Sequence, residues 1–279
     1  MSVVRVPVRG GELAVEELAG TSEPVLAIHG ISSTRRLWDW LHVEAPDLTL
    51  LAPDLRGRGD SLDVAGPASR AQHVEDLVAV LDARGLEKVH VMGMSMGGFV
   101  AVELAHRHPD RVKSLVLVDG GFPLPTPPGL TREALPTVFA DRLARLEQSF
   151  GSVEAYREFF CAGTAPLLDP ADPVLQGYLA HDLDESGRVR LSGSVLLDDA
   201  ADIYFGDQHW ESLRLPVRWA HAEWAVGEGS APMYPAEAAA RYAAHTTTAV
   251  LVPGVDHAGA IMTKPGAVVV AGLLAEALA

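Results

Sequence analysis

Residues 89–97 read Val-His-Val-Met-Gly-Met-Ser-Met-Gly. The apolar run Val89–Met92 is typical of a short buried strand, and a helical pattern, Met96–Arg107, follows it almost directly. The pentapeptide Gly93–Gly97 has the form G-x-S-x-G, which in this setting predicts a sharp strand-to-helix turn with Ser95 at its tip. Bulky residues two positions from Ser95 would clash in such a turn, which explains the glycine on each side. The stretch therefore predicts an exposed serine hydroxyl at the end of a strand, close to the positive N-terminus of a helix.

Further strands and helices are predicted on both sides of this turn. Seven other short apolar runs predict strands at Val3–Val8, Leu13–Glu17, Val25–His29, Leu48–Ala52, Leu115–Val118, Val217–His221 and Ala249–Val252. Helical patterns lie between them at Ser69–Arg84, Met96–Arg107, Pro235–Ala244 and Pro265–Leu278. Strands that alternate with helices indicate the α/β class, here a mostly parallel eight-stranded sheet with helices on both faces.

One long segment interrupts this alternation. Residues 122–212 contain no clear strand, and they open with a proline-rich stretch, residues 123–128, that predicts an extended linker. Helical patterns follow at Arg132–Phe150, Val153–Cys161, Val174–Asp182 and Ser194–Tyr204. We therefore predict a helical cap, residues 122–212, inserted between the two parts of an α/β core, residues 1–121 and 213–279.

The bulk composition narrows the class of protein. The 279 residues carry a formal net charge of −15, which opposes binding to nucleic acid or to an anionic membrane surface. The chain has one cysteine, Cys161, so no intramolecular disulfide can form and a reducing compartment fits. The sequence has neither a signal-peptide pattern nor an apolar run of membrane-spanning length. These features predict a cytoplasmic protein without a nucleic-acid or membrane partner.

Three further motifs accompany the serine turn. His29-Gly30 closes the third predicted strand, Asp54–Ser61 has the form D-x-R-G-x-G-x-S, and Pro253–His257 has the form P-G-x-x-H. Together with the serine turn, and in this order, the motifs resemble those of the α/β-hydrolase family over nearly the full length of the chain. The resemblance implies the α/β-hydrolase fold, with Ser95 as a serine nucleophile and no cofactor.

The resemblance also implies roles for residues around Ser95. His257 is the expected general base, which accepts the serine proton and returns it to the leaving group. The backbone N–H groups of Ile31 and Met96 are the expected oxyanion hole. Loop-ordering roles without proton transfer are expected for His29, Asp54, Arg56 and Arg58. The sequence has no cluster of His, Cys or carboxylate residues with convincing metal spacing.

The acid that orients His257 is the point where this chain departs from the family pattern. The family usually carries an aspartate in the loop after the strand here predicted at Val217–His221. At the expected position this chain has Ala225. Another carboxylate must therefore orient the imidazole if the triad is complete.

Three carboxylates are candidates for this role. Asp119 directly follows the strand Leu115–Val118 and lies 24 residues after Ser95, a position used by a minority of α/β-hydrolases, and we place it first. Glu223 lies on the usual loop but two positions early, and it is second. Glu228 lies further along the same loop. All three fall between the serine and the histidine, so their order along the chain does not distinguish them.

The substrate pocket is expected between Ser95 and the cap. Candidates for its lining are Trp38, Met94, Phe122, Leu135, Phe139, Phe159, Phe160 and Tyr204. No Arg or Lys is obviously placed to hold a substrate carboxylate, so the pattern favours an uncharged, fairly hydrophobic ester or lactone. We expect the chain to bind this small molecule as a monomer or homodimer.

Several functions fit such a site. Hydrolysis of a carboxylic ester or lactone through an acyl-enzyme is the leading hypothesis. C–C bond hydrolysis, perhydrolysis of the haloperoxidase type and amide hydrolysis use the same kind of serine triad. A hydrolase-derived small-molecule receptor is the alternative that is not an enzyme.

Overall fold

An eight-stranded β-sheet runs through the computed structural model, which describes residues 2–279. The strands are β1 (Ser2–Val8), β2 (Gly11–Leu18), β3 (Pro24–Ile28), β4 (Thr49–Pro53), β5 (Val89–Met94), β6 (Val112–Val118), β7 (Val217–Trp224) and β8 (Thr248–Asp256). Their order across the sheet is β1-β2-β4-β3-β5-β6-β7-β8. Strand β2 pairs antiparallel with β1 and β4, and the remaining pairs are parallel. The prediction of a mostly parallel eight-stranded sheet is confirmed.

Helices cover both faces of this sheet. Within residues 2–279 they are α1 (Asp39–Glu44), α2 (Arg70–Ala83), α3 (Met96–Arg107), α4 (Leu135–Val138), α5 (Ala140–Glu147), α6 (Val153–Phe159), α7 (Pro173–Asp182), α8 (Gly193–Phe205), α9 (Ala236–Ala243), α10 (Gly259–Met262) and α11 (Lys264–Leu278). Alternate residues of β3 pack on opposite sides, so that Ala27 joins an apolar cluster with α1 and α11, and Leu26 joins another with α2 and α3. None of these helices combines the length and hydropathy that a bilayer crossing requires.

The segment between β6 and β7 contains the helices α4 to α8. The single helix predicted at Arg132–Phe150 is divided. Pro136 lies in the first turn of α4, where a missing N–H costs no helical hydrogen bond. Phe139 then leaves helical geometry, with φ −98° and ψ 13°, before α5 begins. The break changes which side chains of this segment face the core.

Charge pairs from α8 hold the helical segment on the core. The buried carboxylate of Asp199 forms ion pairs with Arg58 and His73. One turn further along α8, Oδ2 of Asp202 lies 3.0 Å from Nε of Arg70. These three core partners belong to the loop after β4 or to α2, so α8 is fixed above these elements.

Strands β7 and β8 are longer than predicted. Strand β8 continues through Gly254 to Asp256, beyond its predicted end at Val252. Gly254 adopts a φ of 73°, which glycine tolerates, and the pairing register of the two strands shifts in this region. The extension places Glu223 within β7 and His257 immediately after β8.

Candidate active site

Ser95 follows β5 in a strained backbone conformation, with φ 54° and ψ −122°. Such a conformation costs on the order of 1–3 kcal/mol and is found mainly at functional sites. Glycines permit the tight turn, because a Cβ on Gly97 would lie 1.9 Å from the carbonyl oxygen of Ile28. A Cβ on Gly93 would lie 2.2 Å from the carbonyl oxygen of Gly97. The half-buried serine therefore sits at the start of α3, on the wall of a cavity.

The loop after β3 lies beside Ser95. A Cβ on Gly30 would lie 3.3 Å from the Cβ of Ser95, and Ile31 lines the same cavity. Arg58 holds this loop by donating from Nε and Nη2 to the carbonyl oxygen of Ile31, at 3.1 and 3.0 Å. Met96 is the first residue of α3, so its N–H has no acceptor within the helix. The two amides predicted to form the oxyanion hole thus belong to the elements that flank the serine.

His29 lies fully buried behind this loop. Its Nδ1 is 2.8 Å from the carbonyl oxygen of Gly30, and its Nε2 accepts from the N–H of Leu55 at 2.9 Å. These partners require the neutral tautomer with its proton on Nδ1. Burial lowers the pKa of His29 to about 4, in keeping with a neutral ring. His29 therefore orders the loops after β3 and β4 and is shielded from substrate.

His257 and Ser95 line one cavity, and His257 is bonded to Asp119. Nδ1 of His257 lies 2.6 Å from Oδ2 of Asp119, which directly follows β6. The Asp119 side chain is 1% exposed, and its Oδ1 accepts from the N–H of Ala222 at 3.2 Å. One carboxylate oxygen is thus held by the backbone while the other meets the imidazole. The bond keeps a proton on Nδ1 and leaves Nε2 as the nitrogen that can accept one.

The other two candidate acids lie elsewhere. Oε2 of Glu223 accepts from the N–H of Gly254 at 2.7 Å, which ties β7 to β8. Glu228 is exposed on the loop after β7. Ala225 accepts from the backbone N–H of His257 at 3.3 Å and lines the cavity. In the described chain, neither glutamate is hydrogen-bonded to the imidazole.

Asp256 positions the histidine loop, a role that the sequence analysis missed. Its Oδ1 accepts from the N–H of Gly259, and its Oδ2 accepts from the N–H of Gly227, both at 3.0 Å. The carboxylate therefore joins the loop after β7 to the turn that carries His257. The available signal was an aspartate three residues before the start of a short helix, where such side chains commonly bind free backbone amides.

A cavity of about 330 Å³ is lined both by the serine turn and by the helical segment. Four of the predicted lining residues are in its wall, namely Met94, Phe139, Phe160 and Tyr204. The structure places the other four away from it, namely Trp38, Phe122, Leu135 and Phe159. Trp38 and Leu135 pack in an apolar cluster, Phe122 packs against aromatic rings, and Phe159 is exposed. An apolar residue type alone cannot distinguish core packing from pocket lining.

Polar groups also lie in the cavity wall, and the sequence analysis did not place them there. The hydroxyl of Tyr178 donates to Oγ of Ser33 at 3.1 Å. Arg142 on α5 also lines the cavity, although the sequence showed no Arg or Lys obviously placed to hold a substrate carboxylate. A signal was present, because Phe139 was expected in the pocket and residues three apart share a helix face.

One group of side chains behind the cavity has the spacing of a metal site. Asp54, Asp60 and His181 bring ligand atoms within 4.8 Å of one another. However, Arg35 forms ion pairs with both aspartates, and Arg190 forms a second ion pair with Asp60. These guanidinium groups already balance the carboxylates, so the cluster is best described as an ion-pair network.

Comparisons with known proteins agree with this architecture. A family model described as alpha/beta hydrolase fold matches residues 23–158. Lipase LipV of Mycobacterium tuberculosis is 43% identical over 102 residues, 36% of this chain and 39% of that protein. Epoxide hydrolase 3 of Siraitia grosvenorii is 33% identical over 153 residues, 50% of this chain and 48% of that protein. The crystal structure of E-2-(acetamidomethylene)succinate hydrolase aligns with this chain at a TM-score of 0.77 and 20% sequence identity. The alignment covers 98% of each chain.

The sheet order, the serine turn and these matches establish that the chain is an α/β-hydrolase-fold protein. The matched segments span less than half the length of either curated relative. The similarity to the solved structure concerns the fold.

Proposed function

We propose that the protein is a serine hydrolase that cleaves a carboxylic ester or lactone of a small substrate. One observation carries the proposal. The Nδ1 of His257 bonds to the buried Asp119 at 2.6 Å, while His257 and Ser95 line the same cavity. A carboxylate at Nδ1 holds the imidazole in the tautomer whose Nε2 accepts a proton, and it stabilises the imidazolium that forms. In this proposal, residues 122–212 act as a cap over the cavity.

The proposed reaction has two halves. Oγ of Ser95 bonds to the substrate carbonyl carbon while its proton passes to Nε2 of His257, and the amides of Ile31 and Met96 stabilise the oxyanion. The bond to the alcohol then breaks, and His257 returns the proton to the alcohol oxygen. In the second half, a water molecule loses a proton to His257 and adds to the acyl group. Ser95 then leaves with that proton, and the carboxylic acid is released.

Hydrolysis rates for p-nitrophenyl esters of graded acyl length, with several lactones, test the proposal. The wild-type protein should show saturable turnover, and Ser95→Ala should lower kcat by roughly 10⁵- to 10⁶-fold. Ser212→Ala is a matched control, because Ser212 is exposed and lies outside the cavity lining, and it should retain wild-type rates. Undiminished turnover in Ser95→Ala would contradict the proposal. Tight binding of esters without turnover would favour a receptor instead.

A further inference from the structure

Arg142 presents a guanidinium in the wall of the cavity that contains Ser95 and His257. The guanidinium carbon lies 5.2 Å from the centroid of the Phe139 ring, which lines the same cavity. Arg142 lines this cavity, and part of its side chain remains exposed to solvent. A positive charge is thus offered to any molecule that binds beside the serine.

The surroundings of Arg142 are unfavourable to its own charge. Burial lowers the pKa of the Arg142 guanidinium, and the positive charge of Arg145 on the same helix lowers this pKa further. Tyr204 and Asp141 oppose the shift less strongly. An arginine stays protonated in proteins, so the lowered pKa indicates that the charged guanidinium is destabilised at this position. A nearby anion would stabilise it.

Several buried arginines of the protein have carboxylate partners. Three of them form ion pairs, namely Arg35 with Asp54, Arg56 with Asp76, and Arg58 with Asp199. The buried Arg145 is an exception, because its Nε and Nη2 have no hydrogen-bond partner in the described chain. Arg142 forms an ion pair with no carboxylate in residues 2–279. A carboxylate on a molecule bound in the cavity would supply this missing partner.

The chemistry of the cavity favours a carboxylate as this anion. One guanidinium balances one negative charge, and its planar set of N–H donors matches the two oxygens of a carboxylate. Most of the remaining wall is apolar, with side chains such as Met94, Phe160 and Ile203. A volume of about 330 Å³ lies at the lower end of the range for small-molecule sites. These features suit a short hydrocarbon body with one charged end.

We propose that the substrate is an ester or lactone of a small acid that carries a second, free carboxylate, and that Arg142 binds this carboxylate while Ser95 attacks the ester carbonyl. The inference rests on the proposed hydrolase function and names the substrate class of that site. It replaces the uncharged substrate expected from the sequence.

Two series of activated esters test this proposal. The first contains the p-nitrophenyl monoesters of glutaric, adipic and suberic acids, and the second contains the same esters with a terminal carboxamide. After correction for spontaneous hydrolysis, the wild-type kcat/KM should favour the carboxylates by about tenfold or more. Arg142→Gln should lower kcat/KM for the carboxylates by roughly 10- to 100-fold, mainly through KM. The carboxamides should change little, and Arg142→Lys should retain part of the preference.

Arg132→Gln is the matched control. Arg132 also lies over an aromatic ring of the helical segment, 5.2 Å from the centroid of Phe205, but it is not part of the cavity lining. Its substitution removes the same charge from the same segment and should leave both ester series unchanged.

The possible outcomes separate this inference from the proposed function. Equal rates for the two series in the wild-type protein, or an equal loss of both in Arg142→Gln, would overturn the carboxylate proposal. Ester turnover that still depends on Ser95 would then leave the hydrolase function standing. If neither series is hydrolysed, the proposed hydrolase function is wrong. Calorimetry of adipate binding to the Ser95→Ala protein then tests the carboxylate proposal. Adipate binding that Arg142→Gln abolishes supports it, and no binding overturns it.

Discussion

Ser95 and Asp119 are the non-glycine residues with positive φ in the described chain, at 54° and 42°. They follow the neighbouring parallel strands β5 and β6. Gly120 permits their close approach, because a Cβ at that position would lie 2.2 Å from the carbonyl oxygen of Ser95. Strained backbone of this kind persists only where the surrounding structure holds it. The strain therefore marks the same two residues that the geometry around His257 selects.

Asp119→Asn should lower kcat by about 10³- to 10⁴-fold, because an amide neither fixes the required imidazole tautomer nor balances the imidazolium charge. Asparagine tolerates positive φ, so the variant should fold. Steady-state hydrolysis of p-nitrophenyl butyrate is the measurement, and circular dichroism verifies the fold. Glu223→Gln is the control, since it changes a carboxylate that bonds to the backbone of Gly254, and it should remain active. A nearly normal Asp119→Asn enzyme beside an inactive Glu223→Gln enzyme would reverse the assignment.

Local motifs identify some site residues and not others. Ser95 and His257 stand in short patterns whose geometry is set by neighbouring residues, so the sequence is sufficient to nominate them. The bond from His257 to Asp119 joins residues 138 positions apart, and no local pattern distinguishes Asp119 from Glu223. Arg142 belongs to no such short pattern, so the sequence did not nominate it.

The positions of the strands and core helices follow from local sequence periodicity, whereas the contacts between different elements do not. The strand Val89–Met94 and the helix Met96–Arg107 were predicted to within two residues, because a short apolar run and a helical pattern are local signals. The attachment of α8 to the core depends instead on Asp199 and His73, which are 126 positions apart. Such contacts depend on how whole elements pack against each other, so short sequence patterns do not predict them.

Asp199→Asn should lower the free energy of unfolding by about 3–5 kcal/mol, because it leaves the buried guanidinium of Arg58 without its counter-charge. Burial by itself would raise the pKa of Asp199, but the charges of His73 and Arg58 outweigh it and lower that pKa to about 2. Urea denaturation at pH 7 is the measurement. Asp202→Asn is the comparison, since its carboxylate is 25% exposed, and it should cost about 1 kcal/mol or less. Equal losses in the two variants would contradict this account of α8.

For the whole molecule, His29 links stability to pH. An unfolded histidine takes up a proton near pH 6.5, whereas the pKa of folded His29 is lowered to about 4. Between these values the unfolded state binds more protons, so the free energy of unfolding falls as the pH falls from 6.5 to 4. The loss from His29 should reach about 3 kcal/mol. Imidazole NMR signals at pH 5 should show a neutral His29, and a titration midpoint near pH 6.5 would contradict this expectation.

Ser95 is proposed to be a nucleophile that His257 and Asp119 activate. The most direct test is titration with a p-nitrophenyl alkylphosphonate, which forms a stable adduct with an activated serine. We expect rapid release of one equivalent of p-nitrophenol per chain and a phosphonate mass on the peptide that contains Ser95. Labelling should be absent in Ser95→Ala and much slower in Asp119→Asn. An intact, folded protein that binds the phosphonate without reacting, or that reacts at another residue, would contradict the proposal that Ser95 is the nucleophile.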